Sequence, residues 1–267
     1  MKIKRIVLLF FLSMFFVACE EVIQLDLQSS TQRTVVEAIV DAGTGICVVT
    51  ISTTASYYET DLQKKISGAT IVVTSSSGRA YQLFDSGNGQ YSAKGIVLQF
   101  GETVTLEIVT AQNVSYTAST IVPLKILLDS IAAEKNVEPP FRNNRISYRL
   151  FAIWKDSATV ENFYRLRTTV NDTVRRNQFS VVNDKIQDGT IFRQRISGNQ
   201  FFLKDTIKIE LLSVDKEYYN YFRQFGRGGG PGPNTAAAPF NPKGNFDNDV
   251  LGYFGVVYRS EKQVILN

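Results

Sequence analysis

From residue 33 onward the apolar residues fall in short runs, several of them alternating apolar and polar, and no helical period intervenes before residue 213. A period of two is that of strands with one buried face. In Thr103–Val109, Val104, Leu106 and Ile108 alternate with Thr103, Thr105 and Glu107, so one face packs while the other meets water. Comparable runs occupy Thr34–Val40, Ile46–Thr53, Ala69–Thr74, Ala80–Phe84 and Tyr116–Val122. Between them lie Asp41-Ala42-Gly43-Thr44-Gly45, Ser75-Ser76-Ser77-Gly78 and Asp85-Ser86-Gly87-Asn88-Gly89, rich in residues that accept positive φ or cap their own backbone. Six or seven strands in about ninety residues predict an immunoglobulin-like β-sandwich over residues 33–126. Cys47, inside an apolar run, reads as a small buried hydrophobe.

Residues 127–267 predict a second β-rich domain, making the fold all-β and mainly antiparallel. Its strands are expected at Leu128–Ala133, Arg145–Trp154, Glu161–Val170 and Thr206–Leu212, with a less regular stretch before Phe202. Then the period changes. Val214, Tyr218, Tyr221, Phe222 and Phe225 share one face of a helix over residues 213–225, with Ser213 as its N-cap and Gly226 at its stop. A glycine- and proline-rich loop fills residues 226–244, and a strand pair, Val250–Tyr258 and Gln263–Leu266, closes the domain.

The chain contains no histidine, which excludes Ser-His-Asp and Cys-His relays, histidine zinc sites and histidine-ligated haem. Its formal charge of +4 rests largely on Lys2, Lys4 and Arg5. Without them 26 basic residues face 25 acids, which leaves no electrostatic case for nucleic acid.

Those three cations begin an N-terminal address. The apolar run Ile6–Val17 is too short for a bilayer span of about twenty residues, and Ala18-Cys19 ends it. Phe16-Val17-Ala18-Cys19 resembles a bacterial lipobox, so residues 1–18 are expected to be a lipoprotein signal peptide and Cys19 the lipidated first residue of a tether through residue 32. Each buried lipid methylene contributes about 0.8 kcal/mol, so several chains anchor durably. Glu20 and Glu21 resemble a surface-export signal, and a solvated linker start accounts for them equally well.

Catalytic signals are few. Ser213-Val214-Asp215-Lys216 matches Ser-x-x-Lys at a helix start, but the companion Lys-Thr-Gly is absent, and helix capping explains the serine at lower cost. Asp247-Asn248-Asp249 and the Asp85 turn offer oxygens to calcium without matching an EF-hand, so no metal and no cofactor beyond the lipid on Cys19 is expected. Binding signals are richer. Tyr57 and Tyr58 fall at an expected sandwich tip, Arg149, Arg165 and Arg167 are interleaved with aromatics, and Tyr218 and Tyr221 lie on the helix. A cationic, aromatic surface for a peptide carboxylate, an acidic glycan or a protein fits this pattern. So does a solvated arginine face, or attraction between the two domains: residues 19–126 hold six basic and ten acidic residues, and residues 127–267 hold twenty and fifteen.

Taken in order, Cys19-Glu20-Glu21-Val22-Ile23-Gln24-Leu25-Asp26-Leu27, Val35-Val36-Glu37-Ala38, Ser67-Gly68-Ala69-Thr70-Ile71, Pro242-Lys243-Gly244-Asn245 and Leu251-Gly252-Tyr253-Phe254 resemble a family of Bacteroidetes outer-membrane lipoproteins, domain of unknown function 4249. Members are commonly encoded beside TonB-dependent receptors of the SusC/RagA type. The resemblance therefore implies a non-enzymatic, surface-exposed accessory lipoprotein that helps such a receptor capture a ligand, with the outer membrane and the receptor as its partners. A structural or adhesive surface lipoprotein is the second expectation and a hydrolase the third.

Overall fold

The computed structural model describes residues 32–55, 64–137, 146–158, 160–174, 180–196, 200–227 and 241–267. Strands β1 (Thr34–Asp41) and β2 (Ile46–Thr53) form an antiparallel hairpin. Its turn is an Asx turn, in which the Asp41 carboxylate accepts the Gly43 and Thr44 amides at 3.0 and 3.3 Å. Alternation then sorts the side chains, since Val36, Ala38, Val40, Cys47, Val49 and Ile51 are fully buried while Glu37, Ile39, Ile46 and Val48 face the other way.

The next strands are β3 (Thr70–Ser75), β4 (Ala80–Gly87), β5 (Gln90–Ala93), β6 (Thr103–Val109) and β7 (Ser115–Ile121). Hydrogen bonding runs without a break in the order β1-β2-β5-β4-β3-β6-β7. β4 serves both halves, pairing with β3 through Ala80–Leu83 and with β5 through Phe84–Gly87. The ribbon encloses one core, to which Ile71, Val73, Leu106 and Ile108 contribute from one half and the β1–β2 residues from the other.

Beyond residue 126 come β8 (Leu128–Val137), β9 (Ile146–Lys155), β10 (Phe163–Val170), β11 (Thr173–Val174), β12 (Ser180–Asn183), β13 (Ile191–Arg195), β14 (Thr206–Val214), helix α1 (Lys216–Arg227) and β15 (Leu251–Ile265). β13, β9 and β8 make a small antiparallel sheet, whereas β11, β10, β14 and β15 extend the large one to β1. Between these layers Trp154 stacks on Phe192 (4.9 Å, 10°) and meets Tyr164 edge-on at 5.2 Å.

The C-terminal strand departs from expectation. Instead of a pair, Leu251–Ile265 is one fifteen-residue strand whose first half pairs in parallel with β1 (Leu251–Val257) and whose second half pairs antiparallel with β14 (Tyr258–Ile265). The polar residues Arg259-Ser260-Glu261-Lys262 lie between the two expected strands. They remain extended because the β14 ladder holds their backbone, and Arg259 and Glu261 ion-pair with neighbouring strands. The large sheet is consequently mixed and continuous across residue 126. The stretch expected to be irregular before Phe202 contains the short strands β11, β12 and β13, whose few residues carry too little alternation to read.

The helix begins three residues later than its spacing suggested. Ser213 belongs to β14, is 2% exposed, and accepts the Ile126 amide at 3.2 Å. The cap is Asp215, whose carboxylate accepts the Tyr218 amide at 2.6 Å and whose carbonyl accepts the Tyr219 amide at 3.1 Å.

Cys47 is fully buried, and burial pushes its thiol up to about 12. Because the thiolate is the reacting species, Ellman's reagent at about pH 8 should leave Cys47 unmodified in the folded protein and react once denaturant opens it. Labelling under native conditions would contradict this packing.

Candidate binding cleft

The outward face of the large sheet carries a cleft of about 730 Å³ between the strands and α1. Alternation puts its residues there. Glu37, Ile39 and Asp41 come from β1, Ile46 and Val48 from β2, Arg165 and Arg167 from β10, Leu212 from β14, and Tyr253, Val257 and Arg259 from β15. Register aligns them across strands, with Arg165 opposite Leu212 and Leu212 opposite Arg259.

Helix α1 supplies the wall, with Tyr218, Tyr221, Phe222 and Phe225 at i, i+3, i+4 and i+7. Gly255 lets the helix close on β15, since a Cβ there would lie 2.7 Å from the Tyr218 ring. The rings meet both edge-on, as Tyr218–Tyr253 at 5.5 Å and 89° and Tyr221–Phe222 at 5.1 Å and 86°, and tilted, as Tyr218–Phe222 at 4.5 Å and 37°. Burial raises the phenols of Tyr218 and Tyr253, and takes Tyr221 up to about 12 with help from Glu37 and Tyr218. All three hydroxyls are neutral at physiological pH.

The charged groups fall into two sets. Arg259 bridges Asp41 (3.4 Å) and Glu210 (3.3 Å), and Glu210 also holds Arg167 (3.5 Å), so two cations and two anions offset one another. Arg165 instead lies among aromatics, its guanidinium 3.7 Å from the Phe222 ring centre and its Nη1 donating to the Tyr218 hydroxyl at 2.8 Å.

Four of the residues singled out from sequence, Arg165, Arg167, Tyr218 and Tyr221, therefore share one cleft. Arg149 does not. It lies on β9 of the small sheet, 3.7 Å from Glu134, which also pairs with Arg193 at 2.5 Å. Cys19, Glu20, Glu21, Tyr57 and Tyr58 lie outside the described residues. The Ser-x-x-Lys pattern forms no dyad, as Ser213 receives the Ile126 amide while Lys216 reaches Glu161 at 3.2 Å.

Sequence reasoning missed the β1 and β2 contribution, because Glu37, Asp41, Ile46 and Val48 reach the cleft only through the parallel pairing of β1 with β15. It also missed Asp156, Asp184 and Asp188, whose carboxylate oxygens lie within 4.8 Å of one another. Asp156 accepts from the Tyr164 hydroxyl and from the Gly189 amide (2.8 Å), and Asp184 from the Asn162 amide (2.6 Å), so the trio ties loops to β10. The acids weighed for calcium are engaged in the same way. Asp247 accepts the Thr117 amide at 2.6 Å, Asp85 accepts those of Gly68 and Gly87, and Asp249 pairs with Arg33.

A β-sheet scaffold bearing a cleft on one face is the class of protein that this fold and site define. Residues 20–263 match the family described as Domain of unknown function (DUF4249), and the chain belongs to it. No curated protein matches the chain. The Gly-Asn and Leu-Gly-Tyr-Phe motifs that carried the resemblance act together here. The Asn245 side chain accepts the Phe254 amide (2.9 Å) and donates to the Phe254 and Ser119 carbonyls (2.8 and 2.9 Å), while Gly244, Gly252 and the Val36 backbone lie in close succession. The motifs fasten β15 into the sheet, and Tyr253 projects from them into the cleft.

Proposed function

We propose that the protein is a non-enzymatic outer-membrane lipoprotein, held by lipid on Cys19 and facing the cell exterior, that captures a ligand for a partner TonB-dependent receptor. The cleft carries this reading: its volume lies within the roughly 300–1,000 Å³ of small-ligand sites, and its aromatic wall and apolar floor stand on strands and a helix. In this reading the first seven strands, packed around one core in immunoglobulin-like fashion, are the platform that presents it. The lipobox, the two following glutamates and the family resemblance support the address and the partner.

Cys19→Ser removes the thiol that forms the lipid thioether, so lipid labelling should be lost and the protein should leave the outer-membrane fraction. Unchanged labelling overturns the anchor. Affinity purification of the tagged wild-type protein from detergent-solubilised outer membrane should bring down a TonB-dependent receptor. Recovery of the folded lipoprotein without one, under conditions that keep receptors soluble, overturns the partner.

A further inference from the structure

The charged side chains of the cleft narrow what it can accept. Five ionised side chains line it: Glu37, Asp41, Arg165, Arg167 and Arg259. Asp41, Arg167 and Arg259 are bound up with Glu210, which leaves Arg165 and Glu37. Among the described residues no carboxylate lies within 4.0 Å of Arg165 and no cation within 4.0 Å of Glu37. Arg165 Nη1 donates to the Tyr218 hydroxyl but Nε is buried without an acceptor, so the hydrogen-bonding capacity of the guanidinium is only partly used inside the protein. Its Cζ lies 3.7 Å from the Phe222 ring centre, a contact that holds the guanidinium in place, and arginine's several donors suit a carboxylate.

One unspent cation suits a monoanion better than a phosphate dianion. Among the described residues the lining contains no Asn or Gln, the amide side chains that would orient the hydroxyls of a sugar. Its floor is aliphatic: Ile39, Leu212 and Val257 continue into Ile46 and Val48, each of these last two 37% exposed. We propose that the cleft binds short apolar peptides of a few residues, Arg165 pairing with the C-terminal carboxylate, the aliphatic floor and the Tyr221 and Phe222 rings holding the side chains, and Glu37 facing the free amino group. This assignment rests on the reading of the cleft as the capture site and supplies its ligand class.

Titration calorimetry on the full lipoprotein in detergent, with the tripeptide Leu-Leu-Phe, tests it. The free peptide should bind, and C-terminal amidation should weaken binding at least tenfold. Arg165→Gln should cause a similar loss for the free peptide and erase the difference that amidation makes, whereas Arg165→Lys should restore part of the affinity. N-acetylation and Glu37→Gln should each weaken binding a few-fold without compounding, and Arg149→Gln on the small sheet should change nothing. Circular dichroism melts matching wild type establish that each variant is folded. Equal binding of free and amidated peptide overturns the proposal. So does tighter binding of inorganic phosphate or of a galacturonate oligosaccharide, or no binding of the peptide at millimolar concentration. Failure of peptide binding while the receptor still copurifies overturns the ligand class alone. Peptide binding without receptor copurification overturns the accessory role alone.

Discussion

Gly252→Ala should abolish soluble, folded protein. Gly252 sits in β15 directly opposite Val36, with φ of +108°, and a Cβ built there would stand 1.9 Å from the Val36 carbonyl oxygen. No side-chain rotation relieves that contact, because both partners are backbone. β1 cannot retreat, since it is paired to β2 on its other edge and Val36 is fully buried. The expected cost exceeds about 4 kcal/mol, a large share of the roughly 5–15 kcal/mol that keeps a domain folded. Gly78 is the comparison. Its φ is +84°, but a Cβ there meets nothing within 4 Å, so Gly78→Ala should cost only about 1–3 kcal/mol of backbone strain. Soluble yield and thermal melting separate the two. A soluble Gly252→Ala protein melting within a few degrees of wild type would refute the close approach of β15 and β1.

Asp215→Ala should lower the melting temperature by about 6–12 °C, taking roughly 3 kcal/mol at about 2–4 °C per kcal/mol for a chain of this size. Its carboxylate gathers four donors: the Tyr218 amide (2.6 Å), the Tyr253 hydroxyl (3.1 Å), the Thr120 hydroxyl and the Ile121 amide (3.3 Å). One residue thus ties the start of α1 to β15 and to β7. Alanine removes a helix cap, worth about 1 kcal/mol, and leaves the buried hydroxyls of Thr120 and Tyr253 without their acceptor, at about 1–3 kcal/mol each before relaxation. Ser213→Ala loses one acceptor, for the Ile126 amide, and should cost about 1 kcal/mol. A larger loss from Ser213→Ala than from Asp215→Ala would restore Ser213 as the cap.

The contrast between those two residues marks what was legible in the sequence. Period-two alternation located Ile46–Thr53 and Thr103–Val109 to the residue, because each strand buries one face and exposes the other. Helical spacing found the face of Tyr218, Tyr221, Phe222 and Phe225, but spacing cannot choose between Ser213 and Asp215 as cap when both side chains can accept a hydrogen bond. The structure chooses, since β14 pairs through Ser213 with Tyr164 and Tyr258 and keeps that residue extended. In the cleft, Arg165 and Arg167 were legible because they follow the aromatic pair Phe163-Tyr164 and alternate with Tyr164 and Leu166 along one strand. The acidic side of the cleft was not, since Glu37 and Asp41 lie more than a hundred residues from those arginines in the chain and are brought near only by β15. The polar run in β15 misled for a related reason: its ion pairs, Arg259 with Asp41 and Glu210 and Lys208 with Glu261, are all made to other strands.

The position of β15 also sets the order in which the molecule can be completed. It lies between β1 and β14, inside the large sheet, yet it follows every other described strand in the sequence. During synthesis β1 and β14 each wait with one edge unpaired, and contacts separated by more than two hundred residues form last and slowly. Every earlier strand can pair while the sheet still stands open along the line where the two halves meet. Assembly therefore ends by insertion at the centre, and that same step draws Tyr253, Val257 and Arg259 alongside β1 and creates the cleft. A chain cut before residue 251 would leave β1 and β14 with unpaired edges and would lack the Tyr253, Val257 and Arg259 side of the cleft.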